Sequence, residues 1–270
     1  SEGIVFISKI TLNYEDKSLN NNIPDYVEGH NLLAGKTVLV TAAAGAGIGF
    51  AAAKRAAEEG ASALMIADIH EVRLAKSADK LEQETGLRPY TQLCNVTDEN
   101  DVQSLVTNAV EQMGHIDVLI NNAGLGGSKS VIDMEDDEWH RVIDVTLTGT
   151  MRMTRAVLKH MQSRGKGVIV NNASVLGWRA QTEQAHYAAA KAGVMAFTRC
   201  SALEAAEFGV RINAVSPSIA VHDFLKKTSS EELLTELVKN EAFGRGAEVW
   251  EVANVMMFLA SDYSSYMTCL

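Results

Sequence analysis

The sequence predicts one α/β domain, a doubly wound parallel sheet with helices on both faces. Three observations carry this. Short apolar runs alternate with stretches of helical periodicity from Gly35 onward, the pattern of right-handed βαβ units around a sheet buried on both sides. No linker or internal repeat divides the 270 residues, a length that one large core accommodates. A glycine-rich turn, "TAAAGAGIG", separates the first apolar run from the first helical stretch.

The elements follow in order. "KTVLVTA" reads as a buried strand, and residues 47–60 as an Ala-rich helix. "ASALMIAD" is the second strand, before a helix over 71–86. "YTQLCNV" is the third, with 98–114 helical behind it, and "IDVLINNAG" the fourth, followed by two helical stretches over 135–163. "GKGVIVNNAS" is the fifth strand, ahead of a long helix over 182–208, and "VRINAVSP" is the sixth. Farther on, "SSEELLTELVKN" reads as an amphipathic helix, a lid or a surface helix. Residues 1–33 are polar and aperiodic, and are expected to form an extension, mobile or packed on a neighbouring subunit, before a domain spanning 34–270.

Composition excludes several function classes. A hydrophobic content of 47% with 21% charged residues describes a globular protein. The net charge of −10 argues against nucleic acid, which requires a positive footprint. Cys94, Cys200 and Cys269 are dispersed, which fits reduced thiols in a cytoplasm and no metal cluster. The uncharged run Thr37–Ala53 approaches the length of a membrane span, but Thr41 and the glycine turn interrupt it. "IVFI" near the start is followed by acidic and Asn-rich residues rather than a cleavage site, so no targeting segment is expected.

The glycine turn does not match G-x-G-x-x-G, because Phe50 stands where a small residue is expected. Its position decides its meaning. At the carboxyl edge of a strand, free backbone N–H groups and the helix dipole favour a pyrophosphate, and glycine allows close approach and positive φ. Asp68 ends the second strand 19 residues after Gly49, where an acid grips an adenosine ribose or merely caps a helix. With the glycines, ribose binding is the better reading. An acid there repels a 2′-phosphate, so NAD is expected over NADP.

The chemistry lies further along. Tyr187 and Lys191, four apart in "YAAAK", share one helix face, and Ser174 closes the fifth strand 13 residues earlier. A phenol with a free pKa of about 10 is a poor acid/base at neutral pH; lowering it by about three pKa units would take about 4 kcal/mol. A neighbouring ammonium in a dry site is expected to supply much of that. Ser174 would hydrogen-bond the reacting oxygen while Tyr187 exchanges its proton.

"TAAAGAGIG", "NNAG" (Asn121–Gly124), Ser174 with "YAAAK", "RINAVSP" and "FLASDYSSYMT" occur in an order that resembles the short-chain dehydrogenases/reductases, over about Leu32–Thr268. The resemblance implies a Rossmann domain and hydride transfer between a nicotinamide and a carbonyl or secondary alcohol. Tyr187 would be the acid/base, and Lys191 would tune it and hold the nicotinamide ribose. Thr41, Gly45, Gly47, Ile48 and Gly49 would line the phosphate turn. Asp68, Asn95 and Val96 would meet the adenosine; Asn122, Ala123 and Gly124 would lie beside the ribose, with Asn121 bracing the sheet. Pro217 and Ile219 would contact the nicotinamide. Dimers or tetramers built on helices 98–114 and 135–163 are implied as well.

Departures from the family pattern set further expectations. The turn is one residue longer than usual, with Ala42 where a glycine usually follows Thr41, so the phosphate loop should be enlarged, with Gly45 compensating. Asn95 replaces an Asp and would accept from an adenine amine. Thr146 stands at the family's catalytic Asn and would support the same relay water, partly through its carbonyl. Ser218 replaces a glycine, and His222 a threonine that often contacts the carboxamide. After "YMT" the sequence lacks the family's glycine and last strand, so the final edge strand is expected to be missing, leaving a sheet edge exposed or covered by another segment such as the N-terminal arm.

A narrower resemblance, on "NNASVLGWRAQ", "HYAAAKAGVMAFTRCSALEAAE" and "RINAVSPSIAVHDFL", is to bacterial dehydrogenases/reductases of late steroid-ring degradation, which act on a hexahydroindenone carboxyl-CoA. It implies a bulky acyl-CoA, with Leu176, Trp178 and Phe224 on its rings and Arg179, Lys226 or Lys227 on its phosphates. Trp178 as a packing residue and the two lysines as a solvated face stay open. So do a fatty-acid-type 3-oxoacyl thioester reductase and a non-catalytic binding role.

Overall fold

β1 (Thr37–Thr41) lies at the centre of a parallel sheet, paired with β2 (Ala63–Asp68) on one side and β4 (Val118–Asn121) on the other. β3 (Tyr90–Leu93) extends the first side; β5 (Gly167–Asn172) and β6 (Val210–Val215) extend the second. The order is therefore β3-β2-β1-β4-β5-β6. The computed structural model describes residues 23–221, 234, 237–239 and 241–270. The expectations for residues 1–22, His222, Phe224, Lys226, Lys227 and most of the amphipathic stretch 229–240 lie outside these.

Every residue of β1 is buried, because its pleat is apolar on both faces. On one face α1 (Ile48–Glu58), α2 (Glu71–Thr85) and α7 (Val249–Ala260) cover Val38, Val40, Ile66 and Val170. On the other, α3 (Glu99–Met113), α5 (Gly149–Arg164) and α6 (Ala185–Ala206) cover Leu39, Met65, Leu119 and Ile169. Each such side chain contributes about 1.5–3 kcal/mol by leaving water. α4 (Asp136–Ile143) runs through a π-helical turn at Asp144–Thr148 directly into α5. A small parallel pair, β7 (Ala220–Val221) with β8 (Ala247–Glu248), precedes α7.

One polar seam crosses this core. Asn121 Nδ2 donates to Asn171 Oδ1 (3.0 Å) and Thr154 Oγ1 (3.0 Å), and Asn171 Nδ2 donates to Thr198 Oγ1 (2.9 Å). β4 and β5 are thereby tied to α5 and α6 by satisfied buried amides, which fix register where apolar packing alone would let strands slide.

One sequence expectation needs correction, and between two alternatives at the sheet edge the structure chooses one. The described part of the N-terminal extension packs on its own domain, neither on the β6 edge nor clear of the core. The Arg55–Glu59 ion pair (2.6 Å) is buried on α1; Arg55 also donates to the carbonyls of Val27 and Glu28, and Glu59 accepts from the N–H groups of His30 and Leu32. Leu33 is fully buried, and the Tyr26 ring meets Trp250 edge-on at 5.3 Å. The edge of β6 is not bare either. Among the described residues the main sheet has no seventh strand, yet Cys269 N–H donates to Ile212 O (3.0 Å) and Ala214 N–H to Leu270 O (2.7 Å).

Candidate active site

The carboxyl ends of β1, β2, β4, β5 and β6 converge where the strand order reverses, the place at which open α/β sheets bind ligands. After β1 the chain turns through Ala42–Gly47 into α1. Ala42 adopts φ +50° and Gly45 φ +102°, so the lengthened turn uses two left-handed residues. The extra residue is held by side chains on β2 and α2: Ala44 N–H donates to Asp68 Oδ2 (3.0 Å) and Gly45 N–H to Ser77 Oγ (2.9 Å). α1 starts after Gly47 with no side-chain cap and no acid in its first turn, leaving donors for an anion. A Cβ on Gly45 or Gly47 would meet nothing within 4 Å, whereas one on Gly49 would come within 2.3 Å of Ala42 O. Open space before the helix and tight packing behind it make a cradle that fits a dinucleotide pyrophosphate.

Asp68 is 7% exposed, and burial pushes its carboxyl above the usual range against the opposing pull of Ala44 N–H and Arg73. Such a carboxylate gains from further donors, as ribose hydroxyls would be. Thr41 serves the strands rather than the turn, its Oγ1 accepting from Asn122 N–H (3.0 Å) and Ala123 N–H (3.1 Å). Asn95 departs from expectation. Its Oδ1 accepts from Thr97 N–H (3.1 Å) and Oγ1 (2.9 Å), so an Asx turn takes the acceptor assigned to an adenine amine. Val96 is buried against Gly149.

Ser174, Tyr187 and Lys191 meet at the end of β5. Ser174 Oγ accepts from Leu176 N–H (3.2 Å), which starts a 3-10 turn, and lies close enough to the Tyr187 phenol to draw its pKa down. Lys191 Nζ lies 5.6 Å from the centre of the Tyr187 ring and donates to Asn172 O. Lys191 and Ser174 are 3% and 9% exposed. This burial overturns one expectation: loss of water raises the Tyr187 phenol, which Ser174 only partly offsets, and brings Lys191 down to about 8. Desolvation penalises both charged forms, and Nζ faces a carbonyl and not the phenol oxygen.

Thr146 lies within the π-helical turn, fully buried; its carbonyl accepts from Thr150 Oγ1 (2.8 Å) and its own Oγ1 bonds both N–H (2.9 Å) and C=O (3.1 Å) of Leu125. A Cβ on Gly124 would lie 3.4 Å from Lys191 Nζ, so the Thr146-held loop forms one wall of the lysine site. Gln184 Nε2 to Gly127 O (2.7 Å) and Lys129 N–H to Glu183 O (2.9 Å) close that wall onto α6. Beyond β6, Pro217 O accepts from Val175 N–H (3.0 Å) and Ile219 O from Ala247 N–H (2.7 Å). Ser218 Oγ donates to Glu241 (2.6 Å).

Around the mouth, Leu176 is half-buried and Trp178 is 74% exposed, so among the described residues its ring is not packed into a core. Arg179, expected on a CoA phosphate, pairs with Glu241 (3.4 Å) while its side chain stays 46% exposed. Sequence reasoning missed Ser77 and Asn172. Ser77 could have been found as the polar member of the apolar stripe Leu74, Ala78, Leu81; Asn172 as a polar side chain ending an apolar strand.

A doubly wound sheet with a phosphate cradle and a Ser–Tyr–Lys set at its switch point defines a nicotinamide-dependent oxidoreductase, and the chain belongs to the short-chain dehydrogenase/reductase family. A family model described as enoyl-(acyl carrier protein) reductase matches residues 42–269. The chain is 60% identical, over 91% of its length and 94% of the relative's, to the (5R,7aS)-5-hydroxy-7a-methyl-1-oxo-2,3,5,6,7,7a-hexahydro-1H-indene-carboxyl-CoA reductase of Mycobacterium tuberculosis. Identity to the 3-oxoacyl-[acyl-carrier-protein] reductase FabG of Thermotoga maritima is 38%, over 87% of this chain and 94% of that one. A crystal structure of a short chain dehydrogenase from Mycobacterium smegmatis superposes with a TM-score of 0.82 at 56% identity, covering 92% of this chain and 95% of that one. Among the described residues, no helix is long and apolar enough to cross a membrane.

Proposed function

We propose that this enzyme reduces a ring ketone to a secondary alcohol on a cyclic, steroid-derived acyl-CoA, using NADH, with Ser174, Tyr187 and Lys191 as its catalytic set. Tyr187 carries the reading. Its phenol is half-buried beside Ser174, one helical turn before Lys191, and desolvation holds it protonated at neutral pH. A proton donor is what ketone reduction needs. The residues of the cradle would hold a reduced nicotinamide cofactor, which would supply the hydride when bound. Ser174 and Tyr187 hydrogen-bond the carbonyl oxygen, and Tyr187 passes its proton to that oxygen as negative charge develops there. Lys191, while protonated, stabilises the phenolate left behind.

The turn at Ala42–Gly49 would hold the pyrophosphate, and Asp68 the adenosine ribose. Asp68 supports NAD over NADP because its carboxylate, already bonded to Ala44, would face a 2′-phosphate. The acyl-CoA assignment rests on the 60% identity to the indene-carboxyl-CoA reductase, against 38% to the acyl-carrier-protein enzyme. Trp178 and Leu176 supply an apolar surface beside Ser174 for a fused-ring substrate. The proposal includes a homo-oligomer, supported by exposed Val255 and Phe258 on α7, and a cytoplasmic setting, supported by three free thiols.

The test measures thermal unfolding with NADH and with NADPH, then turnover on a panel of cyclic keto-acyl-CoAs and linear 3-oxoacyl thioesters. A rise of several degrees with NADH at a hundred times its dissociation constant, worth about 2.7 kcal/mol, and turnover of the cyclic thioesters are expected. Preference for NADPH and linear substrates would favour the fatty-acid reading instead.

A further inference from the structure

Asn172 holds three positions at once. Its main-chain carbonyl accepts from Lys191 Nζ, and its Nδ2 donates to Asn122 Oδ1 (2.9 Å). Its Oδ1 is buried and has no partner. The orientation of both amides follows from chemistry. Asn122 Nδ2 donates to Ala42 O (3.0 Å), a carbonyl that can only accept. Asn122 therefore presents Oδ1 to Asn172, and Asn172 must present Nδ2 in return. The oxygen left over is Asn172 Oδ1.

The result is a continuous line from the phosphate turn to the lysine: Ala42 O, the Asn122 amide, the Asn172 amide and carbonyl, Lys191 Nζ. An unpaired buried acceptor costs about 1–3 kcal/mol, so a native structure that keeps one calls for a reason. Asn172 shares a strand face with Val168 and Val170, the sheet face that α7 covers over β5 and α1, whose N-terminus meets the phosphate turn, covers over β1. A leucine would fill that place without the stranded Oδ1, at the loss of the one bond to Asn122 Oδ1.

We propose that Asn172 is a positioning residue that ties Lys191 to the phosphate turn, and that its free Oδ1 accepts an O–H present only in the working complex, a cofactor ribose hydroxyl or an ordered water. The inference rests on the reading of Ser174, Tyr187 and Lys191 as the catalytic set. Thr146 gives it weight: its side chain is spent on Leu125, so the amide nearest the lysine in bonding terms is that of Asn172.

The experiment compares wild type with Asn172→Leu, and with Asn172→Ser in case the leucine folds poorly. Dissociation constants are measured for NADH, ADP-ribose and ADP, with kcat, KM, the pH profile of kcat and the melting temperature. If a ribose hydroxyl is the donor, NADH and ADP-ribose bind about tenfold more weakly to the variant, the equivalent of about 1.4 kcal/mol, while ADP, which lacks that ribose, is unaffected. If water is the donor, all three constants hold and kcat falls with a shifted pH profile at unchanged KM. Unchanged binding, kcat and pH profile would overturn the proposal. So would equal losses for all three ligands with a lowered melting temperature, which mark a merely structural residue. An inactive wild type, or an active Tyr187→Phe, would instead remove the catalytic reading itself, whatever Asn172→Leu does.

Discussion

Thr146 Oγ1 accepts the N–H of Leu125 at 2.9 Å and donates back to its carbonyl at 3.1 Å. Both backbone groups of a loop residue are thus satisfied by one threonine in a π-helical turn, a device found often at functional sites. Thr146→Val keeps the shape and removes both bonds. Each stranded backbone group costs about 1–3 kcal/mol, so the variant should lose about 2 kcal/mol or more of stability in denaturant titration. Its kcat should fall as Gly124 loosens beside Lys191. An unchanged midpoint with unchanged kcat would show that the loop is held elsewhere.

Ala42 adopts φ +50° where only glycine sits without strain. Left-handed backbone costs an L-residue about 1–2 kcal/mol, and a new glycine returns about 0.4–1 of that through the unfolded chain. Ala42→Gly should therefore stabilise by up to about 1 kcal/mol, raising the melting temperature by about 2–4 °C in a domain of this size. Gly49→Ala should do the reverse and abolish NADH binding, since its Cβ would come within 2.3 Å of Ala42 O and 2.5 Å of Asn122 Nδ2.

Burial brings Lys191 from an ordinary 10.5 to about 8. Two pH effects follow. The ammonium that supports the Tyr187 phenolate is present below about pH 8 and lost above it, so the rate of ketone reduction should fall as pH rises through about 8. Stability moves the other way: between about 8 and 10.5 the unfolded chain binds a proton that the native one does not, so this group adds stability as pH rises across that window. Below about 8 the buried charge costs about 3 kcal/mol, from the size of the fall. Lys191→Met should accordingly be inactive yet no less stable than wild type at pH 7, measured by thermal unfolding; a melting temperature several degrees lower would contradict this.

Asp68 binds the turn through Ala44, and in the function proposed above it also reads the adenosine ribose. Asp68→Ala with Ile69→Arg should weaken NADH by at least about tenfold, one hydrogen bond's worth, and move preference toward NADPH. The lost Ala44 contact should also lower the melting temperature of the cofactor-free protein. Retained NADH preference would mean that the ribose is read elsewhere.

The alternation of apolar runs and helices gave all six strands of the main sheet and the helices flanking them, because the period of each element is written in its own residues. The Ser174–Tyr187–Lys191 convergence was legible too, since strand ends and one helix face are local features. What was not legible depended on distant partners. Nothing near Asn95 says that Thr97 will occupy its oxygen, or near Arg179 that Glu241 will pair with it. The direction of the Tyr187 shift was missed because a spacing of four residues shows that Lys191 is near, but not that its ammonium turns to Asn172 in a site dry enough to penalise both charges. The packing of residues 27–33 on Arg55 and Glu59 was likewise hidden, as a polar segment carries no sign of which buried ion pair will hold it.

The central claim is that Tyr187 delivers the proton in a nicotinamide-dependent reduction of a cyclic ketone. The most direct measurement is consumption of NADH with a hexahydroindenone-type keto-acyl-CoA, with the alcohol product identified by mass, for wild type and Tyr187→Phe at equal, confirmed NADH occupancy. The account predicts turnover by wild type, and a loss of at least about two orders of magnitude in the variant, the low end of what general acid catalysis contributes, with NADH binding retained. Equal turnover by both proteins would contradict it.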